Sequence, residues 1–272
     1  GHSSYAGQVT VMLFNFKTGE KIFESSKMLV LPFGSLHLPN SAKTQGDVKY
    51  DKNGMYMCFN TSAETRTLTC KCENFEANIV LTRKNPNSLV LTVPFENDPH
   101  AFYYNQKINC MTAEGFAKVG EVTYNFNVSD SYGILDWGRG VWPFRHTWYW
   151  ANGTGMVDGS MFGFNLGCGF GDTSKATENI LFYEGKAHKL GRVTFTLGDT
   201  FNQPWVIRDD ENRLELTLTP TYDRTTKMKL LWVDNCTHQM FGNFRGKAIL
   251  DDGRELQIDN IISFAEKAVN QW

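Results

Sequence analysis

Apolar residues recur at every second position along much of this chain. In GQVTVMLFNF they are Val9, Val11 and Leu13; in TRTLTCKCENF, Leu68, Cys70 and Cys72; in RLELTLTP, Leu214, Leu216 and Leu218. That period turns one side of an extended strand toward a core and leaves the other to polar groups. The runs are short and punctuated by turn residues. Thr18-Gly19, Asn53-Gly54, Glu184-Gly185 and Asp252-Gly253 each separate two such stretches, and Asn-Gly is the strongest short hairpin signal. Helical spacing is scarce. About fifteen strands or more are predicted, SLVLTVPF, RVTFTL and MKLLWV among them, with no long helix. The chain therefore reads as an all-β protein of antiparallel strands. So many strands exceed one barrel of about eight and suit two consecutive β-barrels or sandwiches sharing an interface. The polar, turn-rich NVSDSYG divides them into halves of residues 1–130 and 131–272.

Composition removes several functions from this picture. A net charge of −2 and scattered basic residues give no cause to expect nucleic acid or an anionic membrane surface as partner. No apolar run approaches the ~18 residues that a membrane span needs. The opening GHSSY lacks an initiator Met and reads as an expression remnant on a trimmed start, with natural N-terminal strands expected ahead of it. Cys58, Cys70, Cys72, Cys110, Cys168 and Cys236 form no C-x-x-C pair. Cys70 and Cys72 share one strand face, so free, mostly buried thiols in a reducing cytoplasm are expected. The N-x-[ST] sequences at Asn60, Asn127, Asn152 and Asn235 read as coincidence. With no P-loop, dinucleotide fingerprint, G-x-S-x-G or H-E-x-x-H, neither a cofactor nor a metal is expected.

Candidate chemistry gathers in three segments. DWGRGVWPFRHTWYW places Trp137, Trp142, Trp148 and Trp150, four of the seven tryptophans, beside Asp136, Arg139 and Arg145. As a strand, Ile134, Asp136, Gly138, Gly140 and Trp142 share one side and Leu135, Trp137, Arg139 and Val141 the other. The cluster is either a buried Asp–Arg pair bracing an aromatic core, or the lining of a ligand pocket. In the second case Asp136 is desolvated and its raised pKa suits a general acid. A second segment alternates Phe162, Phe164, Leu166, Cys168 and Phe170 with Gly163, Asn165, Gly167, Gly169 and Gly171. Its bare face fits a crossing sheet or a ligand, and the lone Asn165 favours the ligand; Asp172 and Glu178 follow in a polar loop. In the third, AFYYNQKINC, one strand face carries Tyr103, Asn105, Lys107 and Asn109, which is either solvated or in contact with ligand.

These blocks resemble the domain of unknown function 2804 family, through AFYYNQKINCM, GILDWGRGVWPF with TWYW, FGFNLGCGFGDTSKATENILFYEGKAHKL and ILDDGRELQIDNIISFAEKAVNQW, which cover most of the chain. More distantly, GILDWGRG and its aromatic strand resemble the Trp/Asp-bearing strand of the hydroxyneurosporene synthase (carotenoid hydratase) group. That resemblance implies two calycin- or lipocalin-like barrels in a soluble, bacterial-type protein. It also implies a pocket within or between the barrels, where Asp136 would protonate an alkene of an apolar, isoprenoid-like ligand.

Three functions follow as expectations. The leading one is a hydratase, isomerase or cyclase, with Asp136 as acid, Arg139 orienting it, and Trp137, Trp142, Trp148 and Trp150 steadying positive charge by cation–π contact. The second is a glycan-processing enzyme pairing Asp136 with Asp172 or Glu178. The third is a lipocalin-like carrier, with Asp136 locked to Arg139 or Arg145 away from ligand. Each takes a small molecule, apolar or glycan.

Overall fold

A computed structural model describes every residue except 4, 97, 231, 232 and 272. Among the described residues there are nineteen strands and no helix, hence none long and apolar enough to cross a membrane. In chain order the strands are β1 (Ala6–Asn15), β2 (Glu20–Val30), β3 (Gly46–Lys52), β4 (Met55–Thr61), β5 (Thr65–Cys72), β6 (Phe75–Arg83), β7 (Leu89–Phe95), β8 (Asp98–Val119), β9 (Val122–Phe126) and β10 (Tyr132–Val141). There follow β11 (Arg145–Val157), β12 (Ser160–Cys168), β13 (Ile180–Tyr183), β14 (Lys186–Lys189), β15 (Val193–Thr196), β16 (Trp205–Asp209), β17 (Leu214–Leu230), β18 (Val233–Ile249) and β19 (Glu255–Gln271). The all-β, antiparallel reading of the sequence holds. The predicted hairpins form where their turn residues stand: Asn53 and Gly54 both take positive φ, 53° and 72°, as a two-residue turn requires. Of the predicted strand MKLLWV, Leu231 and Trp232 lie outside the described residues.

Contacts divide the chain into two compact units, Gly1–Lys84 with Met111–Gly133, and Asn85–Cys110 with Ile134–Trp272. The first unit holds the β1–β2 hairpin and the β3–β4–β5–β6 meander. The C-terminal half of β8 pairs with β6 and β9. Alternation fills its core: Met55, Met57, Cys70 and Cys72 are buried beside Phe23, which stacks on Phe75 at 4.7 Å between ring centres. Cys70 and Cys72 do share a face, and the six cysteines are free thiols.

The second unit is organised by a nine-stranded sheet in the order β14-β13-β12-β11-β19-β18-β17-β16-β15. Phe162, Phe164 and Leu166 from β12, Leu216 and Leu218 from β17, and Met240 and Phe244 from β18 pack one face of it into a core with Trp205 and Ile207. The opposite face of the central strands is different. There the two-residue period presents Trp148, Trp150 and Asn152 on β11, Asn165 on β12, Gln239 on β18 and Glu266 on β19. The N-terminal half of β8, flanked by β7 and β10, supplies the residues that meet this polar and aromatic face.

Phe164 is wholly buried and meets Phe244 edge-on at 5.0 Å. Phe164→Ala should destabilise the protein by about 3–5 kcal/mol in denaturant unfolding. By contrast, Phe59→Ala, at a side chain 44% exposed, should change stability by less than about 0.5 kcal/mol.

Candidate functional site

Strand register assembles the site. Trp150 lies opposite Glu266 across β11 and β19, Gln239 lies opposite Glu266 across β18 and β19, and Asn152 lies opposite Asn165 across β11 and β12. The side chains then bond as neighbours. Trp148 Nε1 donates to Glu266 Oε1 at 2.8 Å and Gln239 Nε2 to Glu266 Oε2 at 3.0 Å. Asn165 Oδ1 accepts from Trp150 Nε1 at 2.7 Å and from Asn152 Nδ2 at 3.0 Å, while Asn109 Nδ2 donates to Asn152 Oδ1 at 2.8 Å. Asn165 Nδ2 donates in turn to the main chain and carboxylate of Glu178. This buried amide ladder consumes both ends of the Asn165 carboxamide, making it a support for Trp150 and Glu178.

Facing the ladder is Lys107 on β8, its side chain only 4% exposed. Its Nζ lies 2.7 Å from Asp136 Oδ1, 3.7 Å from Glu178 Oε2 and 3.9 Å from the centre of the Trp150 ring. Burial alone disfavours the ammonium charge. The carboxylates of Asp136 and Glu178 outweigh that cost and raise the pKa above the ordinary lysine value. Together these groups bound a cavity of about 200 Å³ lined by Tyr103, Lys107, Asp136, Gly138, Trp142, Trp148, Trp150, Phe170, Glu178 and Glu266. Its walls are aromatic: Phe170 meets Tyr103 edge-on at 4.4 Å and Trp148 at 4.9 Å, and His146 stacks on Trp148. Trp142, 41% exposed, stands with Asp136 at the mouth.

Of the residues expected to form a site, the fold brings Tyr103, Lys107, Asp136, Trp142, Trp148, Trp150 and Glu178 to this cavity. Asn105 is fully buried on the same strand as Lys107. Others point elsewhere. Trp137 turns to the opposite side of β10 and meets Tyr104 at 5.4 Å. Arg139 is exposed on that same opposite side, and Arg145 bonds Gln271 at 2.6 Å. Asp172 closes a local turn, accepting from the amide and hydroxyl of Ser174.

Several expectations need correction. Asp136 pairs with Lys107, not with an arginine, and its side chain is 40% exposed, so it is not the desolvated carboxyl. The glycine face of β12 is filled by protein: a Cβ at Gly163 would meet Cys110 Sγ at 2.7 Å, and one at Gly167 would overlap the Glu178 carboxylate. Of the two readings of AFYYNQKINC the solvated one fails, since Tyr103, Asn105, Lys107 and Asn109 are all buried. Phe170 also leaves the alternation assigned to it, because β12 ends at Cys168 and Gly169, at φ 84°, redirects the chain into the cavity.

The residue that sequence reasoning passed over is Glu266. It is a buried carboxyl in the cavity wall, and burial pushes its pKa above the usual glutamate range. The nearby Asp136 charge pushes the same way; the Trp148 and Gln239 bonds and the Lys107 charge oppose it. A signal was present: Phe264 and Ala268 flank Glu266 at the i±2 positions, which puts the acid on an inward face.

The sign of the Glu266 effect on stability follows from linkage. From the ordinary glutamate pKa up to the raised native value, the folded chain keeps a proton that the unfolded chain releases, so stability falls as pH rises. Thermal unfolding of wild type should show that loss over this window, and Glu266→Gln should lack it.

A match along residues 1–272 shows that the chain belongs to the family described as Domain of unknown function (DUF2804). Among curated proteins none matches the sequence significantly. Solved structures share the lipocalin-like fold at low identity. Kievitone hydratase from Nectria haematococca superposes with a TM-score of 0.60 at 11% identity, over 99% of this chain and 81% of that one. A putative AttH from Nitrosomonas europaea gives 0.54 at 13%, over 97% and 80%. CghA, in a structure with Sch210972, gives 0.51 at 11%, over 92% and 76%.

Proposed function

We propose that this DUF2804 protein binds a largely apolar small molecule between Trp142, Trp148, Trp150 and Phe170 and acts on it by acid catalysis. The reactions in view are hydration, isomerisation or cyclisation at a carbon–carbon double bond. One observation carries the reading: a buried, raised-pKa carboxyl, Glu266, faces an aromatic cavity while a second carboxylate, Asp136, is held by an ammonium at the mouth. Two acids whose environments differ in this way divide the roles of proton donor and proton acceptor.

In this scheme Glu266 gives its proton to one alkene carbon, and the rings of Trp142 and Trp148 steady the carbocation that forms at the other. Asp136 then takes a proton from the attacking water, or from the adjacent carbon in an isomerisation. Solvent at the open mouth returns the proton balance. Lys107 keeps Asp136 in place. A hydratase of the same fold makes addition of water the first chemistry to assay.

A glycosidase pair is less well supported. The Asp172 carboxylate is spent on Ser174, and the Lys107 ammonium stands between Asp136 and Glu178, where a glycosidic oxygen would have to enter. A pure carrier sits poorly with an Asp136 that lines the cavity.

The test is native mass spectrometry of wild type, Glu266→Gln and Asp136→Asn after exposure to fractionated extract of the source cell. Glu266→Gln should trap a ligand that wild type converts, with turnover lower by at least ~100-fold. Wild-type turnover should fall as pH rises through the raised Glu266 pKa. The same unconverted adduct on all three proteins would make this a carrier.

A further inference from the structure

Neighbouring residues of a strand face opposite ways. On β18 and β19, Gln239 and Glu266 are turned to the cavity, so the adjacent His238 and Lys267 are turned to the other face of the same sheet. There His238 and Lys267 are directly paired. That face carries the core of the second unit, where Met240 and Ala265 are wholly buried. At its edge one cross-strand row turns polar: Thr225, His238, Lys267 and Tyr149 lie side by side on β17, β18, β19 and β11. Tyr149, Phe195 and Phe201 pack on the core there and remain partly exposed.

His238 is oriented from two sides. Its Nδ1 lies 2.8 Å from Asp223 Oδ2, and Phe201 stacks on the ring at 3.9 Å with only 7° between the planes. A carboxylate only accepts, so Nδ1 of the neutral ring carries the proton and Nε2 is left as an acceptor. Among the described residues nothing bonds Nε2. Lys267 Nζ stands 5.4 Å from the centre of the Tyr149 ring and forms no ion pair with a described carboxylate. Further out on this face Lys229 and Asp234 pair with each other at 3.6 Å, and the exposed Lys227 adds positive charge. Asp199, exposed in the loop that carries Phe201, pairs with neither Lys227 nor Lys267. A purely structural role accounts for the Asp223–His238 bond; it leaves Nε2 and the Lys267 ammonium without a use.

Directly paired residues of antiparallel strands hold their Cβ atoms about 5 Å apart, so His238 and Lys267 can meet one small molecule together. An acceptor beside an unpaired ammonium is complementary to a hydroxyl beside a carboxylate. The ring of Phe195, stacked on Tyr149 at 5.5 Å, and that of Phe201 supply an apolar flank. We infer that this row is a second binding site, separate from the cavity, for a small hydroxycarboxylate with an aromatic body. The carboxylate meets Lys267, the hydroxyl donates to His238 Nε2, and the body lies against Phe195 and Phe201.

Titration of the protein with mandelate, phenylacetate and benzyl alcohol tests this, with affinity read by calorimetry and the His238 ring followed by NMR. Mandelate should bind in the millimolar range and shift the His238 ring saturably. Phenylacetate lacks the hydroxyl and benzyl alcohol the carboxylate, and each should bind about tenfold more weakly or worse. Lys267→Met should bring mandelate down to the level of benzyl alcohol, and His238→Phe should bring it down to that of phenylacetate. Glu266→Gln, across the sheet, should bind mandelate as wild type does, which separates this site from the proposed catalytic one. The comparison of the three ligands on wild type needs no variant to fold. The inference is overturned if mandelate does not bind, or if wild type binds phenylacetate equally well, which would leave a plain anion site. Mandelate binding that survives Lys267→Met and is lost in Glu266→Gln would assign the ligand to the cavity and overturn it equally.

Discussion

The second unit depends on how it keeps an ammonium ion out of water. An unpaired lysine at the burial of Lys107 would cost several kcal/mol or would shed its proton. Here the charge is met from three directions, by Asp136 on β10, Glu178 in the loop before β13, and the π-face of Trp150 on β11. Each contact joins β8 to a different part of the chain. The ion pair therefore acts as a fastener for the cavity, and Asp136 cannot be read as an isolated acid. Pulling Asp136 away leaves a buried cation; pulling Lys107 away leaves two carboxylates close together.

Behind this fastener the amide ladder sets the geometry. Asn109, Asn152 and Asn165 contribute no charge, yet they orient the indole of Trp150 and the carboxylate of Glu178 through directional bonds. Side-chain networks of this kind stabilise only when every member is satisfied, because a half-filled one leaves desolvated polar groups. The absence of a side chain matters as much at Gly167 and Gly138. The first leaves room for Glu178 and the second for the Tyr103 ring, which a Cβ would meet at 2.7 Å. Small residues beside large polar ones are how a β-sheet face accommodates a packed functional layer without voids.

Much of this is legible in the sequence. Strand count, antiparallel order and the hairpin turns follow from a two-residue period and from Asn-Gly and Asp-Gly steps, which are local properties. The aromatic cluster and the one-faced set Tyr103, Asn105, Lys107 and Asn109 were visible for the same reason. What stayed hidden was long-range. Nothing near Asp136 in sequence names Lys107 as its partner, and the arginines close by were the natural guess. Glu266 lies far along the chain from Trp148, and only the β11–β19 register brings them together. Phe170 departs from its alternation because one left-handed glycine, Gly169, ends a pattern that the residue types alone continue.

The contrast between Glu266 and Asp136 is the step that turns a pocket into a candidate catalyst. Both are acids, and both lie in one cavity within reach of the same lysine's field. They differ in solvent and in partners. Glu266 receives two neutral donors, an indole and an amide, which stabilise a carboxylate weakly and do not repay its burial. Asp136 receives an ammonium at 2.7 Å and keeps contact with water at the mouth. In the proposed reaction the carboxyl buried among tryptophans is the proton donor and the carboxylate at the mouth the acceptor. An apolar ligand lying between them would meet the acid on its desolvated side and the base on its hydrated side, which is the polarity that adding water across a double bond requires.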